Sequence, residues 1–119
     1  MRSLVIKCTA GTDDAERCSQ AFTVATAAIV SGAQVSLWLT GEAAWLGVPG
    51  RAETFELALA GSLADARDLV LESGDLVVCA QCAARRGISE ADLVPGARIS
   101  GAAAFTEAIL ADGVQAIVY

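Results

Sequence analysis

The sequence predicts an α/β fold in which a mostly parallel sheet is covered on both faces by helices. Three observations predict it. Short apolar runs with β-branched residues recur at 3–8, 34–39, 76–78, 97–100 and 115–118. Segments with apolar residues at helical spacing separate most of these runs,. Glycine, serine, threonine or aspartate stands at most of the changeovers,. Strand and helix in alternation build right-handed crossovers and a parallel sheet. With 119 residues, the expectation is one domain spanning 1–119,.

The first strand, Ser3 to Cys8, is apolar apart from Lys7. Thr9 to Asp14 is a turn around Gly11. Thr12 or Asp13 is expected to cap the following helix, and Asp13 with Glu16 resembles a capping box,. The turn is too acidic to cradle a phosphate and lacks the lysine of a P-loop,. A helix then runs from about Ala15 to Ser31, with Cys18, Ala21, Phe22, Ala25, Ala28 and Ile29 on one stripe, and Gly32 ends it,. Gln34 to Leu39 is the second strand. Glu42 to Leu46 reads as a short helical lid, whose Trp45 either lines a pocket or packs into a core or interface.

Phe55, Leu57 and Leu59 alternate with Glu56 and Ala58, which predicts a short extra edge strand,. Ser62 caps the next helix, with Asp65 three residues on and Leu63, Ala66, Leu69 and Val70 as its apolar stripe,. Past the segment that follows Gly74, Ser89 and Asp92 begin a brief helical turn, and Val94-Pro95-Gly96 is a turn. Ala97 to Ser100 is a short strand. The last helix starts at Ser100 or Gly101, buries Phe105, Ile109 and Leu110, and leads through Gly113 to a final strand, Gln115 to Val118.

The stretch from Gly74 to Ile88 carries the chemistry. Leu76, Val77 and Val78 read as a strand buried on both faces,. From Ala80 to Arg86 no residue is β-branched, so a helix should begin there and end at Gly87,. Cys79 then sits where a strand meets a helix N-terminus, with Cys82 in the first turn. Free amide N–H groups and the helix dipole favour a thiolate at that junction. Arg85 and Arg86 add positive charge one turn past Cys82, and they equally suit a helix end as solvated cations,. Two readings of Cys79 stand side by side: a reactive thiol of lowered pKa, or a small buried hydrophobe ending a core strand. Cys8 and Cys18 read as core thiols, although parallel topology can bring them to the same rim as Cys79.

Composition removes several functions. The net charge is −6, and eight scattered Lys and Arg face fourteen Asp and Glu, so no nucleic-acid partner is expected,. Histidine is absent, which excludes Ser-His-Asp and Cys-His machinery,. Cys79 and Cys82 make half a zinc site, but Cys8 and Cys18 lack the spacing of the other half, so neither a metal nor an organic cofactor is expected,. The apolar runs Leu4 to Ile6 and Ala21 to Val30 are too short for a signal core or a membrane span,. A soluble, cytoplasmic protein with reduced cysteines is expected. The 55% hydrophobic content is high for a small domain, and a homo-oligomer would cover the excess,.

The run Val78-Cys79-Ala80-Gln81-Cys82-Ala83-Ala84-Arg85-Arg86-Gly87-Ile88 resembles the active segment of the DsrE/TusD-like family of small sulfur-relay proteins. Glu90 to Gly96, Leu63 to Gly74, the Thr9 to Asp14 turn and Gly32 to Leu39 fit the same pattern more loosely. The resemblance implies a three-layer α/β/α sandwich around a mostly parallel five-stranded sheet, assembled as trimers or hexamers. It also implies a sulfurtransferase-like role, with sulfur carried as a persulfide on Cys79 between donor and acceptor proteins. Cys82 departs from members with a single cysteine here. It could take up the sulfur, or attack the persulfide and leave a Cys79–Cys82 disulfide. A C-x-x-C thiol redox protein is one alternative reading. A non-catalytic oligomeric binding module with structural cysteines is the other.

Overall fold

Five strands form one sheet in the order β4-β3-β2-β1-β5, and every neighbouring pair is parallel. The computed structural model describes residues 2–119. The strands are β1 (Ser3–Cys8), β2 (Gln34–Leu39), β3 (Asp75–Cys79), β4 (Arg98–Ser100) and β5 (Val114–Val118). The helices are α1 (Ala15–Val30), α2 (Leu63–Ser73), α3 (Ala80–Arg85) and α4 (Ala102–Leu110).

Handedness explains the layers. The chain steps in one direction from β1 through β2 and β3 to β4, and right-handed crossovers put α1, α2 and α3 on one face,. The step from β4 back to β5 runs the other way, so α4 lies on the opposite face. Two core clusters follow. Under α1 and α2, Ile6, Leu37, Leu39, Leu76 and Val78 pack against Phe22, Ala21, Ala25 and Val70, all of them buried. Under α4, Val5, Trp38 and Val77 pack against Phe105, whose ring meets Trp38 edge-on at 5.2 Å. Each large side chain so buried contributes about 2 kcal/mol.

The local signals are used with small shifts. Asp14 rather than Thr12 or Asp13 caps α1, accepting from the Arg17 amide, while Asp13 folds back to accept from the Gly11 amide at 2.8 Å. Ser62 caps α2 as expected, by accepting from Asp65 N–H at 3.1 Å. Ser89 and Asp92 close a reciprocal capping box around a 3-10 turn. The segment around Trp45 is a 3-10 turn, Gly41–Gly47, with Trp45 half-buried against the larger core and Arg51 stacked over its ring at 4.3 Å. Gly74 permits a close approach, because a Cβ there would lie 2.5 Å from the Val35 carbonyl oxygen.

The extra edge strand expected at Phe55–Leu59 does not form; these residues are loop and turn. Three facts account for it. Phe55 turns inward onto the core, Leu59 stands fully exposed, and the backbone of Leu59 takes φ +64°, outside the β region,. The loop is tied to a helix instead of a sheet. Buried Arg67 of α2 donates to both carboxylate oxygens of Glu53, at 3.0 and 2.8 Å, and to Asp68 at 3.0 Å. That fork-on-fork pairing anchors the segment leading to residues 55–59.

Candidate functional site

β3 delivers Cys79 to the carboxyl end of the sheet, where parallel α/β folds gather their chemistry. Parity along the strand sets its face. Val77 belongs to the core under α4, and Cys79, two residues on, projects the same way,. Its sheet neighbour on the outer side is Ser100 of β4. The chain then turns directly into α3, with Cys79 at the N-cap position and no capping hydrogen bond from its side chain. Cys79 and Cys82 are both half-buried and reduced.

α3 is short but firmly closed. The Arg86 and Gly87 amides donate to the Ala83 and Ala84 carbonyls at the helix end, and Gly87 takes φ +68°, a conformation that glycine adopts without penalty,. The Ile88 amide then reaches back to the Ala83 carbonyl at 2.9 Å, as in the common glycine-ended helix terminus. Buried Ala83 and Ile88 pin the helix to the core. The first-turn amides therefore stay fixed beside Cys79.

Five influences act on the Cys79 thiol. Burial opposes ionisation. The backbone amides of Cys82 and Gln81, the Cys82 thiol and the Lys7 ammonium oppose that and hold the thiol below its ordinary value. The charge that bears on the sulfur thus includes Lys7 of β1, a residue the sequence offers only as an exception in an apolar strand. The two arginines expected to supply it are disposed differently. Arg86 donates to Glu42 at 2.8 Å and to the Cys82 carbonyl at 3.1 Å, and Arg85 is exposed. Parity is the signal that relates Lys7 to Cys79, since Lys7 alternates with Val5 as Cys79 does with Val77. It becomes readable only once the strand order is known.

The four cysteines fall into two pairs. Cys8 and Cys18 are both fully buried under α1. Cys8 donates from its sulfur to the Ala10 carbonyl at 3.2 Å. Contact with Cys8, followed by burial, pushes the Cys18 thiol well above its ordinary value. β2 lies between β1 and β3, so about two strand spacings separate this pair from Cys79. A surface cleft of about 720 Å³ runs between α1 and the 57–61 loop, lined by Glu16, Gln20, Thr23, Leu57, Leu59 and Tyr119, away from Cys79. Among the described residues no three His, Cys, Asp or Glu side chains gather as metal ligands, and no helix is long and apolar enough to cross a membrane.

Comparison with known proteins agrees with this architecture. The model of the DsrE/DsrF-like family matches residues 2–119. Among solved structures, the chain is similar to the YchN protein of E. coli, with a TM-score of 0.83, 18% identity and both chains covered in full. It is also similar to MTH1491 of Methanobacterium thermoautotrophicum, described as a protein of unknown function, with a TM-score of 0.71, 12% identity and full coverage of both chains. At these identities the likeness shows a shared fold. No functionally curated protein matches the chain by sequence.

Proposed function

The chain belongs to the DsrE/DsrF-like family, and from that premise we propose that it carries sulfur as a persulfide on Cys79 between a donor and an acceptor protein. The observation that carries the reading is the setting of Cys79: half-exposed at a strand end, beside fixed amides, with its thiol held below the ordinary value. The Cys79 thiolate attacks the outer sulfur of a donor persulfide. The donor's S–S bond breaks, a new one forms at Cys79, and the donor sulfur leaves as a thiolate. An acceptor thiolate then attacks the outer sulfur on Cys79 and regenerates the starting thiolate. No electrons are gained or lost overall. The reaction suits a reduced cytoplasm and needs an open sulfur that a partner's thiol can reach, rather than an enclosed cavity.

Incubation with a persulfide donor tests this. Mass spectrometry should find one extra sulfur atom on the peptide holding Cys79, and Cys79→Ser should carry none. An unmodified wild-type peptide after such treatment refutes the reading.

The position of Cys82 in the first turn of α3, three residues past Cys79 at its N-cap, favours a second outcome for the same intermediate. The Cys82 thiolate can attack the inner sulfur of the Cys79 persulfide, forming a Cys79–Cys82 disulfide and releasing hydrosulfide. A longer-lived persulfide in Cys82→Ser than in the wild type supports resolution by Cys82. Equal lifetimes assign it no such part.

A further inference from the structure

Lys7 is an unusual residue for its place. It lies in the second strand from an edge, on the sheet face that α4 covers, between residues that pack as core. Its ammonium sits 4.2 Å from the centre of the Phe105 ring, and Phe105 is itself fixed edge-on against Trp38. Among the described residues it makes no ion pair, whereas Arg17, Arg67, Arg86 and Arg98 each find a carboxylate. The ring face attracts the ammonium and holds it on this side of the sheet, with no carboxylate paired to it to neutralise its field,. Such a placement favours any anion that arises on the same face.

One group on that face turns anionic during the proposed reaction: the sulfur of Cys79. The charged and titratable surroundings of Cys79 are few. On its own strand, Asp75 is paired with Arg98 of β4 at 3.1 Å. α3 brings Cys82, exposed Arg85, and Arg86, whose charge is met by Glu42 from the turn after β2. β2 offers Trp38 and no charge, β4 sets Ser100 beside Cys79, and the sole ionisable residue of α4 is Glu107, past its first turn. Lys7 is the cation on the α4 face left without a carboxylate.

We propose that Lys7 is a positioning residue for the reacting sulfur: seated on Phe105, its ammonium supplies the field that stabilises the thiolate and then the persulfide anion on Cys79. Phe105 and Trp38 hold the cation in place through the ring face and the edge-on contact beneath it. The sulfur's ionisation accordingly depends on an element two strands away, and Lys7 orients charge without forming or breaking a bond. The inference rests on Cys79 being the reacting thiol, but its test does not require sulfur transfer.

The experiment is the pH dependence of iodoacetamide alkylation at Cys79, read site by site with tandem mass spectrometry, for the wild type, Lys7→Met and Lys7→Arg. With Lys7→Met the midpoint should move upward and alkylation at pH 7 should slow by about threefold, a modest effect expected of a partly exposed charge. Lys7→Arg should restore the wild-type profile. Raising the ionic strength should shift the wild-type midpoint upward while leaving that of Lys7→Met in place. This salt arm decides the matter even if Lys7→Met is poorly folded, because it can be read on the wild type against Lys7→Gln. Superimposed profiles overturn the proposal. So does equal slowing by Met and Arg, which would mark a packing effect. A lysine-dependent midpoint in a protein that takes no sulfur from a persulfide donor leaves this inference standing and removes the relay. Normal sulfur loading with an unshifted midpoint does the reverse.

Discussion

Cys79 and Cys18 show how one side-chain type is driven in opposite directions within a single small fold. Cys79 meets amides and a cation, and its thiol is lowered. Cys18 meets another thiol in a dry core, and its thiol is raised. The two make opposite contributions to stability as pH changes. A lowered thiol stabilises the fold fully above its unfolded value of about 8.5, and that contribution is lost as pH falls through the folded value. A raised thiol stabilises the fold below the unfolded value and loses its contribution as pH rises past it. The difference in denaturant midpoint between wild type and Cys79→Ser, under reducing conditions, should therefore grow in the wild type's favour from pH 6 to pH 9. A pH-independent difference would contradict the environment described for Cys79. The placement of Cys79 between strand and helix was legible in the sequence, because it ends an apolar run and begins a helix-forming one. Lys7 was not, because its relation to Cys79 passes through β2 and no local pattern encodes strand order.

The elements that fit their sequence signals best are those whose ends carry side-chain caps. Ser62 and the Ser89–Asp92 pair fix helix starts that spacing alone foretells. In the loop from Val48 to Gly61 the alternation at Phe55–Leu59 makes no strand, because alternation is a strand signal only where a sheet edge is there to receive it. What shapes that loop is the clamp between Arg67 and Glu53, a pairing across fourteen residues that no short-range pattern reveals. The guanidinium holds the Glu53 carboxyl down at about 2. Its contribution is complete above the unfolded value of about 4.3 and is lost as pH falls towards 2. Arg67→Ala should lower stability by about 2 kcal/mol. It should also raise amide exchange and proteolysis in residues 48–61 and remove the loop's extra loosening between pH 4 and pH 2. Unchanged exchange in the loop would show that other contacts hold it.

At the scale of the whole molecule, one helix covers one face of the sheet while three stand on the other. The face under α4 is consequently the less completely covered, and Val118 of β5 remains 62% exposed, while Leu110 at the end of α4, expected to point inward, is 75% exposed on the helix itself. We expect the chain to self-associate through apolar surface of this kind. Light scattering should give a mass several times that of one chain, and Leu110→Asp combined with Val118→Asp should reduce it without loss of helical signal. A monomeric wild type would rule this out. The alternation of strands and helices foretold the parallel sheet, and the high apolar content pointed to uncovered surface. Neither could say which face would be left thin; that follows from the single reversal in strand order.

That reversal also sets β5 beside β1, joined at its end by Thr9, whose amide and hydroxyl both donate to the Tyr119 carbonyl. On the ribosome, β1 is made more than a hundred residues before β5, and its outer ladder has to wait for that strand,. Through that interval a row of unpaired peptide groups lies open to any passing strand. A nascent chain of this topology therefore has most to gain from a chaperone's shelter in the interval before β5 is made.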